Sequence, residues 1–233
     1  MLEFRAIDSF YGEAHILHGV TLGVGKGEVV ALLGRNGAGK TTTLKSAMGL
    51  LRPRRGQVLF DGQDITALAP WRAARLGLGY VPEERRIFKD LTIAENLEVG
   101  RKAARDGAAG WSEEKLYELF PNLGERRDQK GGRLSGGEQQ MLTLARTLMG
   151  NPSMLLLDEP SEGIAPVIVE AMAEALLALK QAGLAVLLSE QNLGFSRMLA
   201  DRVVLLETGT VRFDGSFSSL DGDPEMISRY LAV

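Results

Sequence analysis

Short continuous apolar runs alternate along this chain with stretches whose apolar residues recur at helical spacing. "GEVVALLG" (27–34) is a short β-branched run that ends in glycine, the pattern of a buried strand. A helical stretch, "KTTTLKSAMGL", follows from Lys40. "GQVLFDGQDI" alternates with period two and turns at Asp61-Gly62, a hairpin signal. "LGLGYVP" is another short strand, stopped by Pro82.

The middle has a different pattern. From about 88 to 150 the spacing is helical and no strand is evident. "LTIAENLEVG" carries Thr92 and Glu95 at capping-box spacing. "SEEKLYELFP" starts at a cap, Ser112, and stops at Pro121. The glycine-rich break "KGGRLSGG" precedes the helical "EQQMLTLARTLMG". Strands then return as "SMLLLDE" and "LAVLLSE", with the helical "VIVEAMAEALLALKQAG" between them. Strand–helix–strand order of this kind predicts a parallel sheet with crossover helices. "DRVVLLETGTVRFDG" reads as a closing hairpin around Thr208-Gly209. The pattern predicts an α/β core, mainly a parallel sheet with flanking helices and an antiparallel β part, carrying a helical insertion at about 88–150.

Composition removes several classes of function. The 233 residues carry a net charge of −3, which argues against a nucleic-acid or anionic-membrane binder. The sequence has no cysteine, so disulfides and thiolate metal sites are excluded. The first ten residues, "MLEFRAIDSF", hold acidic positions where a signal peptide needs an apolar stretch. No run reaches the ~20 apolar residues of a membrane span. The expectation is a cytoplasmic protein that reaches a membrane only through a partner.

Chemistry enters with "GRNGAGKTT" (34–42), which matches G-x-x-x-x-G-K-[ST] between a predicted strand and a predicted helix. The glycines let the N–H groups of Gly34, Arg35, Asn36, Gly37, Ala38 and Gly39 turn toward phosphate oxygens, and Thr42 continues the helix start. Lys40 reaches β- and γ-phosphates, and the Thr41 hydroxyl is placed to ligate Mg²⁺. A second anchor is "MLLLDEP". Asp158, at the end of an apolar strand, can hold Mg²⁺ directly or through water, and Glu159 can polarise an attacking water. Taken alone, such an acidic pair is equally compatible with an ordinary turn.

The third motif is "LSGGEQQ" (134–140). Ser135, Gly136 and Gly137 open a helix, and their N–H groups with the Ser135 hydroxyl form a second anion site. With these three motifs the chain resembles the ATP-binding cassette (ABC) ATPases over essentially its whole length. The resemblance implies a P-loop NTPase core with a helical subdomain, ATP and Mg²⁺ as ligands, and ATP hydrolysis. It also implies a head-to-tail dimer, in which each ATP lies between the phosphate loop of one subunit and the LSGG segment of the other. ATP contacting both halves would stabilise the closed dimer by differential affinity. Tyr11 falls where the family places an aromatic against adenine. The two histidines, His15 and His18, lie in a strand-like segment and read as structural.

Three positions depart from the residues commonest in the family. In "GYVPEERRIF", Glu83 stands in place of a glutamine that links Mg²⁺ and water to the membrane partner. Its carboxylate remains a hard oxygen ligand, and its added negative charge near the γ-phosphate would weaken ATP binding unless Arg85 or Arg86 compensates. Ala165, in "PSEGIAP", replaces an aspartate, which removes a cross-dimer hydrogen bond. In "AVLLSEQN" (185–192), Gln191 takes the place of the histidine that senses the γ-phosphate. Of the four polar residues ending that run, the resemblance singles out Gln191. Its neutral amide positions the phosphate or water by hydrogen bonding alone.

"VPEERRIF…LTIAENL", "SEGIAP" and "SEQN" together resemble the shorter ATPase subunit of bacterial importers for branched-chain and other hydrophobic amino acids. Importers for urea or aromatic acids carry similar subunits. This implies two membrane permease subunits, a second ABC ATPase subunit and, indirectly, a periplasmic solute-binding protein, with the chain peripheral on the inner face of the cell membrane. A groove near 83–88, lined by Ile87 and Phe88, is expected to receive a permease helix. Two other classes stay open: a soluble ABC ATPase acting on DNA or ribosomes, and an ATP-gated regulatory dimer that binds but barely hydrolyses.

Overall fold

The computed structural model describes residues 1–104 and 110–231. Two sheets and a set of helices build it. The first strands are β1 (Leu2–Tyr11), β2 (Ala14–Val24) and β3 (Val29–Leu33), followed by α1 (Lys40–Ala47). Then come β4 (Arg55–Phe60), β5 (Gln63–Asp64), α2 (Pro70–Leu76) and β6 (Leu78–Val81). From there to Met154 the described residues form no strand, only α3 (Ile93–Gly100), α4 (Glu113–Leu119), α5 (Pro121–Gly124), a 3-10 turn and α6 (Gly136–Leu148). The chain returns to the sheet with β7 (Met154–Asp158), α7 (Pro166–Gln181), β8 (Ala185–Glu190) and α8 (Leu193–Leu199). It closes with β9 (Arg202–Glu207), β10 (Thr210–Gly215), α9 (Phe217–Asp221) and α10 (Pro224–Leu231).

The larger sheet has the order β10-β9-β3-β8-β7-β6. It is parallel from β9 to β6, with β10 added antiparallel. The smaller sheet, β2-β1-β4-β5, is antiparallel. This mixed α/β arrangement is the one expected from the sequence. Strands β3, β7 and β8 are buried at every position, which explains why they read as unbroken apolar runs. One core packs the small sheet and α1 against one face of the large sheet; the other packs α3–α7 against the opposite face.

Local chemistry sets the boundaries. Asp61 and Gly62 adopt φ of 48° and 79° between the paired residues Phe60 and Gln63. Thr208 and Gly209 do the same, at 44° and 72°, between Glu207 and Thr210. Both are two-residue hairpins whose positive φ suits the strand twist. Thr92 and Glu95 form the expected capping box at α3, and Ser135 with Glu138 forms a second one at α6 that the motif reading passed over. The helix expected from Ser112 to Pro121 runs over Glu113–Leu119 with Ser112 as its cap, and Pro121 starts a separate turn. Strand β1 and helices α2, α8, α9 and α10 were not anticipated: they are short, or follow no clean period.

Candidate active site

The carboxyl ends of the parallel strands converge on one edge of the large sheet. The register pairs Leu33 with Glu190 and Asp158 with Ser189. Residues 34–40, 158–159 and 189–192 therefore leave three adjacent strands side by side, where parallel sheets present their ligand-binding loops.

The loop after β3 is shaped by contact with neighbouring backbone. A Cβ on Gly34 would lie 2.3 Å from the Leu206 carbonyl oxygen and 2.9 Å from the Ala38 side chain. Gly37 has φ of 80° and open space where a side chain would sit, the concavity a phosphate needs. The loop bounds a recess of about 270 Å³ lined by residues 35–38 and 206–208. Behind it the Lys40 ammonium is almost fully buried. It donates to the Gly34 carbonyl at 2.8 Å and the Arg35 carbonyl at 3.2 Å, and pairs with Glu159 Oε1 at 3.0 Å. An ammonium has three donors, and here the protein itself takes all three.

Asp158 is equally well held. Its Oδ1 accepts from Thr41 Oγ1 at 2.9 Å and from Ser189 Oγ at 2.7 Å, and its Oδ2 accepts from Tyr80 OH at 2.9 Å. A hydroxyl and a carboxylate oxygen in contact are hard donors suited to Mg²⁺, which takes few protein ligands and completes its shell with phosphate and water. No cluster of three or more His, Cys, Asp or Glu ligands occurs among the described residues. Burial, with the Asp158 charge and hydrogen bond, drives the Tyr80 phenol far above its ordinary value, so it stays a donor.

Glu159 follows the strand at φ of 45° and lies buried beneath the loop. Burial alone would raise its carboxyl. Hydrogen bonds from Glu162, Gln191 and Lys40, with the lysine charge, outweigh that and hold it below the usual range. Gln191 Nε2 donates to Glu159 Oε2 at 2.7 Å and to Asn36 Oδ1 at 2.9 Å. Glu162 has the opposite shift: its hydrogen bond to Glu159, its partial burial and the charges of Glu159, Glu83 and Glu190 push it up to about 7.

A family description, ABC transporter, matches residues 17–162 of the chain. The chain belongs to the ABC transporter family. It is 39% identical over 231 residues, 99% of both chains, to the high-affinity branched-chain amino acid transport ATP-binding protein BraG of Pseudomonas aeruginosa. It is 35% identical to the probable branched-chain amino acid transport ATP-binding protein LivF of Archaeoglobus fulgidus, over 94% of each chain. At 35% it also resembles the lipopolysaccharide export system ATP-binding protein LptB of Haemophilus influenzae, over 95% of this chain and 92% of that one. Among solved structures, a nucleotide-free ATP-binding cassette from an ABC transporter superposes with a TM-score of 0.84 at 28% identity, covering 97% of each chain. As an ABC ATPase, the chain binds and hydrolyses ATP.

The residues singled out from the sequence fall in distinct places in this ABC ATPase. Lys40, Thr41, Asp158, Glu159 and Gln191 come together directly. Tyr11, at the end of β1, is 47% exposed. The Phe10 ring beside it is covered by His15 at 4.0 Å and by the Arg54 guanidinium at 4.4 Å, leaving Tyr11 as the open aromatic face. The hairpin that carries it is tied to the phosphate loop, since His18 N donates to the Gly209 carbonyl and Gly209 N to the Ala38 carbonyl. His15 bonds Asp8 at 3.1 Å; both histidines make structural contacts.

Ser135, Gly136 and Gly137 open α6, but the Ser135 N–H is already given to Glu138 at 2.8 Å. Of the groups expected there, Ser135 retains only its hydroxyl proton for an anion. Glu83 stands on the exposed rim. Burial, then the charges of Glu159 and Asp158, raises its carboxyl, and Lys45 is the cation that opposes this. Of the two neighbouring arginines, Arg86 pairs with Glu84 at 3.5 Å, and the Arg85 guanidinium lies against Gly136. Both arginines adopt positive φ, 66° and 48°. The two apolar residues expected in one groove line separate recesses: Phe88 an apolar groove, and Ile87, half-buried against the core, a recess of about 210 Å³ shared with residues 83–86, Lys89 and Gln139.

All four polar residues ending β8 have partners. Ser189 orients Asp158. Glu190, 2% exposed, accepts from the backbone of Ser161, Gln191 and Asn192. Asn192 caps α8 through Phe195 N. Tyr80 and Glu162 were missed. Tyr80 reaches Asp158 only because β6 pairs with β7, a register that no local pattern announces.

Proposed function

We propose that this ABC ATPase energises an importer for branched-chain or other hydrophobic amino acids. The observation carrying the reading is the Lys40–Glu159–Gln191 cluster beside Thr41–Asp158, a hydrolytic site complete within one chain apart from what a second subunit adds. Its full-length likeness to BraG and LivF supports the choice of solute class.

The residues divide the work as follows. Phosphate oxygens take up the N–H groups of 34–40, and Tyr11 stacks on the base. Lys40 exchanges Glu159 and the loop carbonyls for β- and γ-phosphate oxygens. Thr41, Asp158 and Glu83 would hold Mg²⁺, which supplies charge neutralisation on the phosphates. Glu159, released from Lys40 but still held by Gln191, takes the proton of the attacking water. Ser135, Gly136 and Gly137 of a second ATPase subunit, homologous or identical, close over the γ-phosphate head to tail, and loss of that phosphate reopens the pair.

The chain is read as a single cassette, 1–233, with a helical subdomain at about 88–150. No helix among the described residues is long and apolar enough to cross a membrane. Attachment to the inner face of the membrane rests on permease subunits, with a periplasmic solute-binding protein acting through them. The groove of about 440 Å³ that includes Leu50, Pro70, Tyr80, Phe88 and Val99 offers the apolar surface such a permease helix requires; Leu50, Phe88 and Val99 are about half exposed. A second reading, an export ATPase, is favoured by the LptB relatives. Reconstitution with the permeases, partner ATPase and binding protein decides between them. The importer reading expects ATP turnover stimulated by a branched-chain or other hydrophobic amino acid. Stimulation by lipopolysaccharide instead would overturn it.

A further inference from the structure

We propose that Arg85 is a phosphate ligand acting across the dimer: its guanidinium takes the terminal phosphate of the nucleotide held by the partner subunit's phosphate loop. This rests on the head-to-tail pairing proposed above. A Cβ on Gly136 would lie 2.4 Å from Arg85 Nη1 and 3.1 Å from Nη2. The guanidinium thus occupies the side-chain position of the first glycine of α6, at the segment that faces the second nucleotide.

The placement is built, not incidental. Arg85 and Arg86 are consecutive non-glycine residues at positive φ, a conformation that persists only when surroundings impose it. Helix α6 imposes it from two positions. Thr143 Oγ1 donates to the Arg85 carbonyl, and Arg146 Nη2 donates to the Arg86 carbonyl at 2.7 Å. The helix that presents the anion site also holds the turn that returns an arginine to that site.

The charge is uncommitted. Glu83 and Glu84 precede Arg85 directly, yet Arg86 takes Glu84, and no carboxylate of the described residues pairs with the Arg85 guanidinium. One helical turn past Gly136, Gln140 is 2% exposed, and neither of its amide atoms has a hydrogen-bond partner. Side chains on a helix lean toward its N-terminus and residues four apart share a face, so Gln140 leans toward that same glycine. A free guanidinium fork and an unpartnered amide beside a helix start favour an oxyanion with several acceptors. The loop would then serve two nucleotides, Glu83 facing this subunit's own site and Arg85 the partner's.

The test uses sedimentation of the full chain in the Glu159→Gln background with Mg-ATP or Mg-ADP, alone and mixed with the second ATPase subunit. Arg85→Ala and Arg85→Gln should weaken ATP-driven pairing by about tenfold or more. Arg85→Lys, which keeps charge but not the fork, should fall between. The thermal shift produced by ADP, which reads the subunit's own loop, should stay as in the parent. Parent-like pairing by both Arg85→Ala and Arg85→Gln would overturn the assignment and leave the dimer standing. Failure of the Glu159→Gln parent itself to pair with ATP in either mixture would overturn the dimer reading and this inference with it.

Discussion

The Gln191 amide donates both of its N–H groups at once, to Glu159 at 2.7 Å and to Asn36 at 2.9 Å. It thereby fixes the acid that follows β7 to the loop that follows β3, across the strand between them. A neutral amide does this without a titration step near neutral pH. Gln191→Ala should lower kcat of the assembled transporter by about tenfold to a hundredfold, within the range that a mispositioned base costs. Gln191→His should recover much of the rate but add a pH dependence near the histidine range that the parent lacks. An undiminished rate in Gln191→Ala removes the role.

Glu159→Gln tests the ion pair as well as the chemistry. Turnover should fall by about 10²–10⁴-fold, since the amide cannot accept the water's proton. The same change leaves the buried Lys40 ammonium without its anion, and stranding such a charge costs about 3 kcal/mol. The nucleotide-free variant should therefore melt below the parent. ATP restores an anion beside Lys40, so it should raise the variant's Tm more than the parent's. Equal ATP-induced shifts in a calorimetric comparison would count against the exchange of Glu159 for phosphate.

The elements carrying strong local patterns were legible in the sequence: the apolar runs of strands β3, β7 and β8, the hairpin turns at Asp61-Gly62 and Thr208-Gly209, and the capping box at Thr92. The phosphate loop, Asp158 and Glu159 were legible because their spacing is local. The rest depends on register and on reversals of backbone direction. Ser189 meets Asp158 only through strand pairing across 31 residues. Arg85 lies against Gly136, 51 residues on in the chain, within a turn of two non-glycine residues at positive φ, which composition does not reveal.

Glu162 supplies a pH signature. Its folded-state value of about 7 lies above the ordinary glutamate value of 4.5. A raised value means that the folded protein binds the proton more tightly than the unfolded chain. The associated stability is complete below about 4.5 and is lost as pH rises through about 7. The nucleotide-free parent should therefore lose stability between those limits relative to Glu162→Gln, whose amide keeps a donor toward Glu159 but does not titrate. Chemical denaturation of both proteins across pH 5 to 8 measures the difference. Parallel curves would rule out a shared proton between Glu159 and Glu162.

Ala165 precedes Pro166 at the start of α7, with extended backbone and no side-chain cap. Its φ of −66° and ψ of 145° are those of a capping residue, so the geometry is present and only the acceptor is lacking. Proline at the first helical position removes one of the free N–H groups, and the Ile168 N–H already donates to the Ala165 carbonyl at 2.9 Å. An aspartate at 165 would offer an acceptor to these first-turn N–H groups and place a negative charge at the positive end of the helix dipole. The site is exposed, so no packing opposes the larger side chain. Ala165→Asp should raise stability by about 1 kcal/mol, seen as a higher denaturant midpoint with an unchanged slope. In the paired enzyme the same carboxylate is the one that the family resemblance places across the dimer. ATP-driven association should then tighten beyond what monomer stability explains. A gain in the monomer with none in association would assign Ala165 to helix capping alone.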